Sequence, residues 1–175
     1  LWPIVDEVKI ASEKLQSLST HEQRAKTAEF KKRNSDHISD VKNEINDLKK
    51  QIDDNPEIGI DEKEKIYARI DELEKDRPLT SGQKGGSNQS VLNIKLEEIL
   101  NKILPEAFAV IKETARRFRE NKELQVTATE FDKNLAAQKN YVKITGGAAA
   151  SWYNTWPVRG NDTTWNMVHY DVQLI

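Results

Sequence analysis

The apolar residues between positions 36 and 77 fall on a repeat that leaves this stretch little choice of fold. Ile38, Val41, Ile45, Leu48 and Ile52 recur at alternating steps of three and four, with Lys, Glu and Asp filling the positions between them. That spacing draws one narrow apolar seam along a helix, and such a seam is buried only against a second helix. Asn55-Pro56 and Gly59 then break the chain, and Ile66, Ile70 and Leu73 resume the spacing before Pro78. A short connection between two seams returns the second along the first, so residues 36–77 are expected to form an antiparallel coiled-coil hairpin, with Asp61 capping its second helix.

Periodicity organises the rest of the chain as well. Ile4, Val8, Ala11, Leu15 and Leu18 line one helical face, and Ser19 with Glu22 has the spacing of a capping box that starts a second helix, running to about Arg33. Residues 1–35 are thus N-terminal helices. Residues 78–90, with Ser-Gly-Gln-Lys-Gly-Gly-Ser, read as a flexible linker; they lack the Gly-x4-Gly-Lys-Ser/Thr register of a phosphate loop. Residues 91–122 carry two amphipathic stretches, one through Leu92, Leu96, Ile99 and Ile103, the next opening at Pro105.

Residues 123–164 change character. A short helix is expected over Thr129–Lys139, then a small β-hairpin in which Tyr141–Thr145 and Ser151–Trp156 flank Gly146-Gly147. Three of the four tryptophans lie between 152 and 165, as anchors of a β-element on a helical body would. From 165 onward Asp162 or Thr163 is expected to cap a last helix through Trp165, Met167, Tyr170 and Leu174. The fold class is mainly α.

Composition narrows the function. Hydrophobic residues make up 37% and charged residues 32%, a balance suited to long exposed helices. A net charge of −2 provides no field for nucleic acid. The absence of cysteine removes disulfides, Cys-ligated zinc and thiol nucleophiles. His21, His37 and His169 lack the spacing of metal ligands, and the carboxylates alternate with lysines along solvated helix faces, so neither a metal site nor a catalytic pair is expected. Arg116, Arg117 and Arg119 sit near a helix end, where the helix dipole favours cations; a phosphate or lipid contact is the alternative.

Three segments carry a family resemblance. Leu18–Phe30, Ile103–Arg117 and Met167-Val-His-Tyr-Asp-Val-Gln-Leu-Ile175 resemble, in order, three segments of SecA, the ATP-driven preprotein translocase motor family. The resemblance implies that Gln173 hydrogen-bonds adenine, its amide offering a donor and an acceptor side by side. It also puts Met167 and Tyr170 around the base; as residues they fit the core face of a helix equally well. The family has Arg where this chain has Val168.

By the same resemblance this is an amino-terminal fragment that stops before the phosphate-binding loop, and 165–175 is the start of a nucleotide-binding domain. Residues 36–77 and 123–164 count as insertions relative to familiar SecA sequences. ATP with magnesium is the implied cofactor of the parent, an ATP-hydrolysing translocase. Its implied partners are preproteins, the SecYEG channel and an anionic membrane surface, with a homodimer left open. The implied location is cytoplasmic, peripheral to the inner membrane. The fragment alone is expected to be inactive, and the start at Leu1 rather than Met fits loss of a preceding segment. The competing reading is a non-enzymatic coiled-coil interaction module.

Overall fold

A computed structural model describes residues 2–76 and 89–174. The elements in chain order are α1 (Trp2–Gln16), α2 (Thr20–Asp54), α3 (Ile60–Glu74), α4 (Val91–Glu120), β1 (Glu123–Thr127), α5 (Glu130–Ala136), β2 (Val142–Thr145), β3 (Ala149–Tyr153), β4 (Thr155–Val158) and β5 (Asn161–Thr164). A 3-10 turn follows at Asp171–Leu174. The mainly α class holds. The linker expected over 78–90 lies outside the described residues except for Gln89 and Ser90.

The chain divides into two compact units, one of residues 28–103 and one of residues 1–27 with 104–175. In the first, the seam residues Val41, Ile45, Ile66, Ile70 and Leu73 form a buried cluster, with Leu48, Ile52, Ile58, Val91 and Leu92 packed against it. Burying each such side chain stabilises by about 1.5–3 kcal/mol, which outweighs the weak helix preference of so charged a sequence. Residues 55–59 are too few to carry the chain back to the start of α2, so α3 returns along it. Arg69 Nε donates to Glu44 Oε1 at 2.8 Å across the hairpin. Asp61 does not cap α3; Gly59 is the N-cap, without a side-chain bond, and Asp61 lies in the first turn, where its charge meets the positive end of the helix.

Two helices run through expected breaks. α2 does not stop near Arg33: Arg33-Asn34-Ser35-Asp36 contains neither Gly nor Pro, and helical residues of these types cost at most about 0.7 kcal/mol each. α4 continues through Pro105 rather than ending before it. An interior proline removes one amide hydrogen bond and crowds the carbonyl a turn earlier, costing about 3 kcal/mol. Against that stands apolar burial on both sides of the proline, of Ile99 and Ile103 before it and Ala109 and Ala115 after it.

The second unit has a helical core of Val8, Leu15 and Ala109, flanked by Ile4, Ala11, Leu18, Phe108 and Val110. Ser19 and Glu22 make the expected capping box, with Ser19 N donating to Glu22 Oε2 at 2.8 Å and Glu22 N to Ser19 Oγ at 3.2 Å. Thr129 and Asp132 form a second box at α5.

The β region is larger than one hairpin. β2 and β3 pair around Gly146-Gly147, both at positive φ, but β1 also pairs with β3, giving a three-stranded antiparallel sheet in the order β1-β3-β2. The alternation of exposed and half-buried residues along Glu123–Thr127 is the period-two signal that marks β1. Ser151–Trp156 is not one strand, because Asn154 breaks it. Its amide N donates to Lys122 O at 3.1 Å and its Nδ2 to Phe118 O at 3.0 Å, turning the chain at the end of α4. A separate hairpin follows, β4 with β5, whose turn residues Arg159 (φ 49°) and Gly160 (φ 86°) both take the positive φ of a type I′ turn. Asp162 is therefore paired opposite Pro157 and caps no helix. The expected last helix is absent too: residues 165–170 have no regular structure, and only the 3-10 turn follows.

Candidate functional site

The stretch from Trp165 to Gln173 takes its path from hydrogen bonds rather than from helix formation. Trp165 N donates to Asn154 O at 2.7 Å, and Trp165 Nε1 donates to Met167 O at 2.8 Å. The turn is then closed by Gln173, whose Oε1 accepts from Tyr170 N at 2.8 Å while its own backbone N donates to Tyr170 O at 2.9 Å. This is one half of a capping box, and it fixes the Gln173 carboxamide against the turn. The second lone pair of Oε1 and the amide nitrogen make no hydrogen bond among the described residues.

The three residues expected at an adenine site thus lie within one short exposed segment. Gln173 is exposed, Tyr170 is 74% exposed and Met167 42% exposed. Neither Met167 nor Tyr170 belongs to the core face of a helix, so that alternative for them is removed.

Asp171, which sequence reasoning did not single out, ties the turn to two helices. Lys112 Nζ of α4 donates to its Oδ1 at 2.9 Å, and Lys9 Nζ of α1 lies 3.0 Å from its Oδ2. The bond from Lys112 and then that from Lys9 hold the Asp171 carboxyl below the ordinary carboxylate range, and the same contact raises Lys9. Its partners lie 59 residues or more away in sequence, so periodicity carried no signal for them.

Trp165 and His169 also line a cavity of about 500 Å³, with Phe118, Tyr141, Trp152 and Trp156 among its other walls. Tyr141 and Trp156 meet edge to face at 6.3 Å, and Trp156 and Trp165 lie 6.5 Å apart. These ring contacts run among the residues of the β region itself rather than onto a long helix. Among the described residues, buried His169 Nδ1 has no hydrogen-bond partner.

The arginines near the end of α4 are committed to carboxylates. Arg116 bonds Glu113 at 2.7 Å and also Glu120, and Arg119 lies 3.7 Å from Glu120. Buried Arg117 bonds Glu113 at 2.7 Å and reaches the carbonyls of Leu15 and Leu18 at 3.2 and 2.5 Å, closing the C-terminal end of α1. Among the described residues no cluster of potential metal ligands occurs, and no helix is long and apolar enough to cross a membrane.

No protein-family model and no solved structure matches the chain. It is 40% identical over 174 residues to the protein translocase subunit SecA of Parabacteroides distasonis, covering 99% of this chain and 14% of that protein. It is 44% identical over 173 residues to SecA of Phocaeicola vulgatus, covering 98% and 14%. With SecA of Flavobacterium psychrophilum it shares 42% over 177 residues, covering 100% and 14%. The chain spans about a seventh of the length of these relatives. The similarity takes in the helical hairpin and the aromatic β-element, so both segments lie within what the relatives share, and a stand-alone interaction module is not favoured.

Proposed function

We propose that this chain, SecA-like from end to end, serves as the amino-terminal part of an ATP-driven protein translocase motor subunit. Identity near 40% along the whole chain carries the reading. In it, residues 165–175 open the nucleotide-binding domain and recognise adenine. Gln173 Oε1 accepts from the base amino group with its second lone pair, and Nε2 donates to the ring N7. Guanine offers acceptors at both positions, so the same amide selects ATP over GTP. The bond from Tyr170 N supports this role, since a carboxamide already held in place loses less freedom on binding. Met167 and Tyr170 supply apolar surface to the base.

The parent motor binds ATP with magnesium and hydrolyses it. The parent's partners are preproteins, the SecYEG channel and an anionic membrane surface on the cytoplasmic side of the inner membrane, where it works peripherally, with a homodimer as one assembly. Residues 36–77 form a coiled-coil hairpin of that subunit.

The test uses the full-length protein with SecYEG in vesicles and an unfolded preprotein. Preprotein-stimulated ATP hydrolysis is expected, with a lowered preference for ATP over GTP in Gln173→Ala. Absence of preprotein-stimulated hydrolysis overturns the motor reading. An unchanged nucleotide preference removes Gln173 from base recognition.

A further inference from the structure

The turn that presents Gln173 is a single 3-10 turn of four residues. So short a helix does not sustain its own geometry, because nucleation fixes several dihedrals for one hydrogen bond. Its orientation has to come from contacts with the rest of the unit. Tyr170 and Gln173 are exposed and do not provide them. Asp171 does, with one carboxylate oxygen on Lys112 of α4 at 2.9 Å and the other on Lys9 of α1 at 3.0 Å.

We propose that Asp171 is a positioning residue for base recognition: its two-lysine bridge sets the turn, and through it the Gln173 amide, against α1 and α4. The inference rests on the adenine-reading role of Gln173. Asp171 stays ionised at neutral pH, since both lysines favour the carboxylate. It touches no base itself; Gln173 lies two residues on, with its Oε1 on the amide of Tyr170. Asp171 through its side chain and Gln173 through Tyr170 hold the two ends of the turn independently, which narrows the orientations open to the carboxamide. Each exposed ion pair is weak alone, but two cations share one carboxylate, and the effect falls on the rotation of a small turn rather than on global stability.

The experiment measures ATP and GTP affinity of the full-length protein by calorimetry for wild type, Asp171→Asn, Gln173→Ala and the double variant. Asp171→Asn is expected to weaken ATP about fivefold and leave GTP unchanged. It should add nothing once Gln173 is Ala. Lys112→Gln should reproduce the loss from the other end of the bridge, and Asp171→Glu should restore most of it. Loss of the ATP preference in Gln173→Ala but not in Asp171→Asn overturns the inference. So does equal weakening of ATP and GTP by Asp171→Asn, the pattern of a merely structural contact. An ATP preference that survives Gln173→Ala removes the base-reading role, and the positioning role falls with it.

Discussion

Arg24 on α2 holds Asp132 on α5 by both oxygens, with Nη2 2.8 Å from Oδ1 and from Oδ2 across 108 residues of sequence. Asp132 is fully buried and also accepts from Thr129 N at 2.7 Å and Trp152 Nε1 at 3.1 Å. One carboxylate thus joins α2, α5 and the central strand β3.

That carboxylate makes stability depend on acid pH. Burial opposes its ionisation, but the Thr129 amide and hydroxyl and the Arg24 guanidinium outweigh burial and leave its pKa lowered. A lowered folded pKa means its stabilisation is complete above the unfolded value near 3.9 and is lost as pH falls through the lower folded value. Asp132→Asn should cost about 2 kcal/mol at pH 7 and flatten the decline in melting temperature between about pH 4 and pH 2. Thermal melts across that range check it; an equally steep decline in the variant would contradict the assignment.

Arg117 needs its fork. Its guanidinium bonds Glu113, the carbonyls of Leu15 and Leu18, and Thr20 Oγ at 3.3 Å. Lysine carries the charge but not five donors in one plane. Arg117→Lys is expected to destabilise by about 1–3 kcal/mol in urea unfolding, and Arg117→Met by more, since it strands buried Glu113 with only Arg116. Equal stability of wild type and Arg117→Lys would show that charge alone suffices.

The hairpin seam should respond to truncation. Leu73 is 1% exposed within the cluster of Val41, Ile45, Ile66 and Ile70. Leu73→Ala is expected to cost about 2–5 kcal/mol, read from helical circular dichroism during denaturation. Exposed Tyr67→Ala, at 54% exposure on the same helix, should change little and serves as the control.

The parts legible in the sequence were those that local physics dictates. The step of three and four fixed the hairpin seam, and Ser19 with Glu22 fixed a helix start. The Gly146-Gly147 pair marked the β2–β3 turn, as the positive φ at both glycines requires. Gln173 stood out through family resemblance alone. Where local rules failed, a competing force can be named. Apolar burial carried α4 through Pro105. Asn154 split a run of alternating residues through bonds to the end of α4.

The sequence by itself determined the apolar seam of the 36–77 hairpin and the helix start at Ser19, because period and capping act within a few residues; the last helix it led one to expect through Trp165 and Leu174 is not formed. Only the tertiary structure decided what Arg24, Arg117 and Asp171 do. An ion pair depends on two groups meeting in space, and nothing in the spacing of Lys9, Lys112 and Asp171 along the chain records that the carboxylate lies between the two ammonium groups.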